Sequence, residues 1–430
     1  MKSTHSIEMV GNLDTPARQR AAVFALFLLM AQMIIGPHLS AQTGTLTGEG
    51  NVLRQIGYTL TLALALWSAG TWSNLERLLV LPFSMVVLLT WCALSVFWAI
   101  NPDIAVRRLL LTVIIIFTIF LIVEQLKFDR TIDALRAALL LVLAANWFAL
   151  IAIPEIGRHQ FADLEDIDLN QNWRGVFLHK NFAGPVCCFT ILLYFFDSSR
   201  QRPLLRWGVI TMSFAFLYFT QSKTSLWLLP LCLLAGATYF AYSPRHFGIA
   251  AAAVTTLMLL AAIALPFYVD ELLTLIPVYD PAAFTGRGTV WAALIYYIQD
   301  NFWLGAGYGS FWNIGADSPI YSYASNARWV TNITSAHNGY LDLAIQLGAP
   351  GLILAIMAFC MVPVARLLAS TTIEKSRAAL LVAILTFCIG HNFTESSILD
   401  RDAIVQIFFC FAIALTHVAT RPSEGRLDKT

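Results

Sequence analysis

Apolar runs near 20 residues recur from one end of this chain to the other. As a helix, each run reaches across the roughly 30 Å hydrocarbon core of a bilayer. A helix also satisfies its own backbone hydrogen bonds, which hydrocarbon cannot do. The runs fall near 21–39, 54–70, 78–99, 106–125, 134–153, 182–197, 206–220, 225–242, 247–268, 339–362, 378–395 and 403–420. The expectation is an all-α polytopic membrane protein of about 12 transmembrane helices, forming a single integral membrane domain over 1–430. Only 12% of the residues are charged, against roughly 25% in soluble proteins. A net charge of +1 speaks against a nucleic-acid partner. The seven cysteines all lie inside apolar runs and none has metal-ligand spacing, so they read as small core residues. Lys2, Arg18 and Arg20 precede an apolar run too long for the core of a signal peptide, and this run reads as a retained first span.

An even span count puts both termini on one side. Basic residues set which side, because cytoplasmic connections are rich in Lys and Arg. With cytoplasmic termini, 17 of the 27 Lys and Arg fall inside and 10 outside. The inside connections are short. Two outside segments are long, at about 154–181 and 269–337. Loops of that length are usually functional or disordered. These two are rich in Trp, Tyr, Phe and Gly, so they are expected to be ordered caps on the bundle. Within the second, Thr289 to Asn301 reads as a short helix with Val290, Trp291, Leu294 and Ile298 apolar. No internal repeat is visible.

Several cations sit on the outer side against the positive-inside trend. They are Arg107 and Arg108 at the start of the fourth span, Arg174 and Lys180 in the first long loop, Lys223 in a tight turn, and Arg287 in the second long loop. Such a cluster suits a phosphate or pyrophosphate headgroup, because Arg offers planar bidentate bonds and Lys a point charge. The competing reading pairs each cation with a loop carboxylate or a lipid phosphate. His337, next to Asn338 at the start of a span, is the candidate general base. His179, His159 and His391 compete with it, and His179 is the strongest rival because Lys180 and Asn181 follow it. Glu395, at the outer end of a span, either orients a base or pairs with an arginine. Gly305, Gly307 and Gly309 lack the strand and acidic residue of a dinucleotide fingerprint and read as a turn. Asp166-Ile167-Asp168 and Asp400-Arg401-Asp402 read as solvated charge.

Gly286-Arg287 with Trp291, the turn Gly305 to Phe311, and His337-Asn338-Gly339-Tyr340-Leu341 with Gly348 and Gly351 resemble the O-antigen ligase and polymerase superfamily (the Wzy and WaaL type). Within it the wording is most similar to the ExoQ type of exopolysaccharide polymerisation protein. The resemblance extends to Arg174-Gly175, Asn181 and Ser222-Lys223, where the family more often has Ser-Arg. It implies a GT-C-like inner-membrane glycosyltransferase of bacteria with its active site on the periplasmic face. The implied donor is an oligosaccharide on undecaprenyl pyrophosphate, the second substrate is a glycan acceptor, and no cofactor, metal or nucleotide sugar is used. Other polysaccharide-assembly membrane proteins are the implied partners. Residue by residue, His337 matches the family's essential histidine, and Arg287 and Arg174 match its essential arginines. Lys223, Lys180, Arg107, Arg108, Asn338, His179 and Glu395 complete the expected substrate-binding set. Polymerase and ligase differ only in acceptor, and a flippase of lipid-linked sugars is the rival class.

Overall fold

The computed structural model describes residues 15–42, 51–160, 169–249, 251, 252, 256, 287–324 and 333–421. Most of the expected span at 247–268, the acidic stretch with Asp166 and Asp168, and the second long loop before Arg287 lie outside these residues. The described residues are helical, with no strand beyond one isolated bridge between Arg158 and Trp173.

Twelve helices carry the argument: α1 (Pro16–Gln42), α2 (Val52–Ala69), α3 (Phe83–Leu94), α4 (Pro102–Ala152), α5 (Lys180–Phe195), α6 (Pro203–Thr220), α7 (Lys223–Tyr239), α8 (Arg287–Asp300), α9 (Gly339–Ala355), α10 (Val362–Ala369), α11 (Lys375–His391) and α12 (Ile404–Ala419). Among the described residues, Pro16–Leu39, Pro102–Ala152 and Gly339–Ala369 are long and apolar enough to cross a membrane. Shorter apolar helices stand beside them, at Phe83–Trp98, Lys180–Phe195 and Ile404–Ala419.

Local sequence explains several boundaries. Asn101 caps α4, its side-chain oxygen accepting from the Ile104 N–H at 3.1 Å, and Pro102 takes the first helical position, where no donor is lost. As one straight rod, the 51 residues of α4 would run more than twice the thickness of a bilayer core. Lys127 leaves helical geometry (φ 58°, ψ −173°) and breaks α4 in two, at the expected connection between the spans at 106–125 and 134–153. A π-helical turn, Ile356–Met361, joins α9 to α10.

The core is apolar and close-packed. Phe189 of α5 stacks on Phe408 of α12 at 4.1 Å and meets Phe387 of α11 edge-on at 4.9 Å. α7 packs along α11, α5 along α6, and α4 against α2 and α12. All seven cysteines are buried and unpaired.

The connections gather in two groups. In one, Arg421 pairs with Glu124 at 2.7 Å, and Asp129 receives Arg377 at 3.0 Å and Arg200 at 3.2 Å. These are segments expected to share one side. The other group gathers the two long caps and the 392–403 connection. The first cap is held by His159 N–H donating to Asn172 O at 3.0 Å and Trp173 N–H to Phe219 O at 3.1 Å. Trp173 also stacks on Phe219 at 4.4 Å, which ties the cap to α6. The second cap has its own small core, with Val290, Leu294, Tyr297, Phe311 and Trp312 packed against Ile345 of α9.

Asp402 corrects one expectation. It is 7% exposed and carries no solvated charge. Tyr58 Oη donates to its Oδ2 at 2.8 Å, Arg54 Nε donates to the same oxygen at 2.8 Å, and Arg54 Nη2 donates to Oδ1. Burial is tolerated because both carboxylate oxygens are answered, one of them twice, by groups of α2.

Candidate active site

The site is built where the chain enters α9. Asn338 is the helix cap: its Oδ1 accepts from Tyr340 N–H at 3.0 Å and Leu341 N–H at 3.1 Å. Its Nδ2 donates to Phe393 O at 3.2 Å, so the cap also grips the connection between α11 and α12. That connection is folded by Asn392, whose Oδ1 accepts from Ser397 N–H at 2.9 Å and Ile398 N–H at 3.0 Å. Gly339 N–H donates to Asn392 O at 2.8 Å, and a Cβ on Gly339 would come within 2.1 Å of Asn392 Oδ1. Only glycine lets the two segments close this tightly.

His337 precedes the cap with a left-handed backbone (φ 49°). Non-glycine residues hold that conformation at a cost of about 1–3 kcal/mol and do so most often at functional sites. The turn aims the imidazole at Glu395, with Nδ1 and Oε2 3.0 Å apart. Glu395 Oε1 receives Arg287 Nη2 at 2.9 Å and Asn181 Nδ2 at 3.1 Å. Arg287, at the first turn of α8, also donates through Nη1 to Thr394 O. Burial pushes the Glu395 carboxyl up, but the His337 hydrogen bond and the Arg287 guanidinium outweigh it and bring it down to about 2. Glu395 is therefore a carboxylate at neutral pH. It accepts the His337 Nδ1–H as a hydrogen bond, the tautomer that in the neutral ring leaves Nε2 as the acceptor. His337 is 39% exposed, and its Nε2 has no hydrogen-bond partner among the described residues.

A cavity of about 430 Å³ opens beside this group. His337, Glu395, His179, Asn181, Ser396 and Thr334 line one part of it. Arg108, Tyr308, Gln346, Asp400 and Arg401 line another. The glycine turn forms the wall between α4 and α9. Ala306 N–H donates to Ile345 O at 2.8 Å, and Gly309 N–H donates to Gln346 Oε1 at 2.8 Å. A Cβ on Gly305 would meet Ile345 O at 2.7 Å, so the turn needs glycine both for its positive φ and for this approach.

The other expected residues take distinct places. His179 caps α5, accepting the Asn181 N–H on Nδ1 at 3.2 Å, and faces the ring of His159 at 5.0 Å. Burial, followed by the Lys180 charge, lowers its pKa to about 4, so it lines the cavity as a neutral ring. Arg174 clamps its own loop, donating to Ile156 O at 3.0 Å, Glu155 O at 3.4 Å and Leu178 O at 3.5 Å. It is not in the cavity wall, but its charge is felt at His179. Lys180 Nζ donates to Gln221 O at 3.3 Å. Lys223 and Arg107 are exposed at the starts of α7 and α4 and stand outside the wall. Arg108 is in the wall, donating to the carbonyls of Gly309 at 2.5 Å, Trp312 at 2.7 Å and Asn313 at 3.1 Å. Asn181 and Arg401 were not among the expected site residues. Asn181 was legible as the neighbour of His179 and Lys180 and as part of the resemblance, but without a role, and Arg401 was hidden inside an apparently solvated Asp-Arg-Asp triplet.

Residues 207–356 match the model of a family described as O-antigen ligase. The match runs from α6 to the π-helical turn, so it takes in Arg287 and His337 and leaves out Arg174, Glu395 and Arg401. No curated protein matches the chain.

Proposed function

We propose, for a chain whose residues 207–356 match the O-antigen ligase family, that it is a membrane glycosyltransferase polymerising undecaprenyl-pyrophosphate-linked glycan repeats at the periplasmic face. The observation that carries this reading is the Arg287–Glu395–His337 chain, with an open imidazole nitrogen at the cavity.

The acceptor's sugar hydroxyl gives its proton to His337 Nε2 as its oxygen attacks the anomeric carbon of the donor. The bond from that carbon to the pyrophosphate breaks, its electron pair leaves on the phosphate oxygen, and the configuration inverts. Glu395, held ionised, orients the ring and stabilises the imidazolium without taking the proton itself. General-base help of this kind is typically worth about 10²–10⁴ in rate. The pyrophosphate is placed on the side of His179, where the charges of Lys180 and Arg174 are felt, with Arg287 reaching the site through Glu395; these three cations stand behind the cavity wall. Preorganised cations at a leaving group contribute about 3–4 kcal/mol when a single donor is tested by removal. The ExoQ-like wording favours a polymerase over a ligase.

The test is His337→Ala beside Arg287→Ala, with folded protein verified in membranes and the lipid-linked intermediates sized. A polymerase with these residues in its site accumulates single lipid-linked repeats in the periplasmic leaflet. Accumulation of long lipid-linked chains identifies a ligase, and repeats trapped in the cytoplasmic leaflet identify a flippase. Unchanged polymer from a folded His337→Ala protein ends this mechanism.

A further inference from the structure

The cavity is lined by two arginines, Arg108 and Arg401, that the scheme above does not use. Arg108 spends its donors on three backbone carbonyls, which fix the guanidinium without neutralising it. Arg401 stands close enough for its charge to be felt at both Arg108 and Tyr308. Its side chain is 34% exposed, and its nearest carboxylate, Asp400, is 3.7 Å away, beyond hydrogen-bonding distance. Two guanidiniums facing one cavity repel each other, and Asp400 offsets one of the two charges. The other carboxylate in this wall, Asp342, is buried and receives the Trp312 indole N–H at 2.5 Å and the Ala336 N–H.

The backbone that presents Arg401 is held under strain. Leu399 (φ 59°) and Arg401 (φ 35°) are both left-handed without being glycine. The flanks enforce this. Leu399 N–H donates to Gln406 Oε1 at 3.1 Å, Leu399 O accepts from Tyr308 Oη at 2.7 Å, and Asp402 is anchored by Arg54 and Tyr58. Buried partners on both sides hold a strained residue so that one guanidinium points at the cavity containing His337. Conformations of this kind cluster at ligand clamps.

We propose that Arg401, backed by Arg108, binds a carboxylate carried by the glycan, so that this site selects acidic saccharides. This rests on the glycosyltransferase reading above. The pyrophosphate is assigned to the cations near His179, not to Arg401. Arg401 is partly exposed and has no carboxylate within hydrogen-bonding distance among the described residues, and a planar guanidinium fits a carboxylate with two parallel bonds.

The test uses the full chain in nanodiscs and two undecaprenyl-pyrophosphate disaccharides that differ only in the terminal sugar, glucuronate or glucose. Binding and transfer are measured separately. Wild type is expected to bind the glucuronate probe roughly 10- to 100-fold more tightly. Arg401→Gln should lose that preference and keep its affinity for the glucose probe, which also reports its folding. Arg401→Lys should recover only part of the preference. Absence of a preference in wild type overturns the proposal, and so does a preference retained in Arg401→Gln. Equal weakening of both probes overturns it too, because it places Arg401 on the pyrophosphate they share. Preferential binding of the glucuronate probe with transfer of neither probe supports the subsite and removes the glycosyltransferase reading.

Discussion

His337 Nδ1 and Glu395 Oε2 lie 3.0 Å apart although 58 residues separate them in the chain. The two approach from different connections, one entering α9 and the other leaving α11, and the Asn338 side chain on Phe393 O and the Gly339 N–H on Asn392 O hold those connections together. The pair leaves the second imidazole nitrogen open to the cavity, and the following predictions depend on it.

Glu395→Gln keeps the shape of the side chain and removes its charge. Turnover of lipid-linked repeats should fall by about 10²–10⁴, since the ring loses both its tautomer control and the counter-charge for the imidazolium. A folded variant within threefold of wild type would show that Glu395 is only structural.

Arg287→Lys should not substitute for arginine. Arg287 uses separate nitrogens for Glu395 Oε1 and Thr394 O, and a single ammonium cannot reproduce that fork. A loss of at least about tenfold in turnover is expected, since hydrogen bonds to charged groups are worth about 1.5–3 kcal/mol. Full activity with lysine would mean that only the charge at this position matters.

Two groups should make stability fall with acid, in different windows. The folded pKa of His179 is lowered from 6.5 to about 4, so its contribution is complete above 6.5 and lost as pH falls toward 4. The Glu395 carboxyl is lowered from 4.5 to about 2, so its contribution is complete above 4.5 and lost as pH falls toward 2. Unfolding followed by tryptophan fluorescence between pH 7.5 and 3 checks both. His179→Gln should flatten the upper window and Glu395→Gln the lower one. A wild-type curve that is flat across both windows would contradict these assignments.

Gly339→Ala should act on the site through packing. Its Cβ would meet Asn392 Oδ1 at 2.1 Å and displace the connection that carries Glu395. Gly208→Ala, with nothing within 4 Å of the added carbon, is the control and should be silent. Gly339→Ala should lose activity to about the extent of Glu395→Gln while α6 and α12 stay folded by limited proteolysis. Normal turnover in Gly339→Ala would mean that the connection tolerates movement.

Removing either member of the Arg54–Asp402 pair should destabilise the protein by about 3–5 kcal/mol, because an uncompensated charge stays buried. The double variant Arg54→Met with Asp402→Asn should cost less than the sum of the two single changes, measured by thermal unfolding in detergent. Additive losses would show that the two residues act independently.

The sequence by itself determined the class of the protein, the places of most of the described helices and the grouping of their ends. Those depend on local properties: apolar runs that need a non-aqueous surrounding, backbone groups satisfied within each helix, and charges kept with one set of connections. It also marked His337, Arg287 and Glu395 as candidates, because ionisable groups at the ends of spans are few. It left open whether His337 or His179 is the base and whether Glu395 orients a base or pairs with an arginine. Tertiary structure gave each of these groups its surroundings. It made His179 a half-buried cap held neutral at neutral pH, and it set Glu395 against His337 and Arg287 together, the arginine 108 residues away in the chain. The Asp400-Arg401-Asp402 triplet shows the limit most plainly. Neighbours in sequence part company there: Arg401 joins the cavity wall and Asp402 is buried against Arg54, 348 residues away. Ion pairing and burial depend on which distant helix arrives alongside, and no local pattern of residues encodes that.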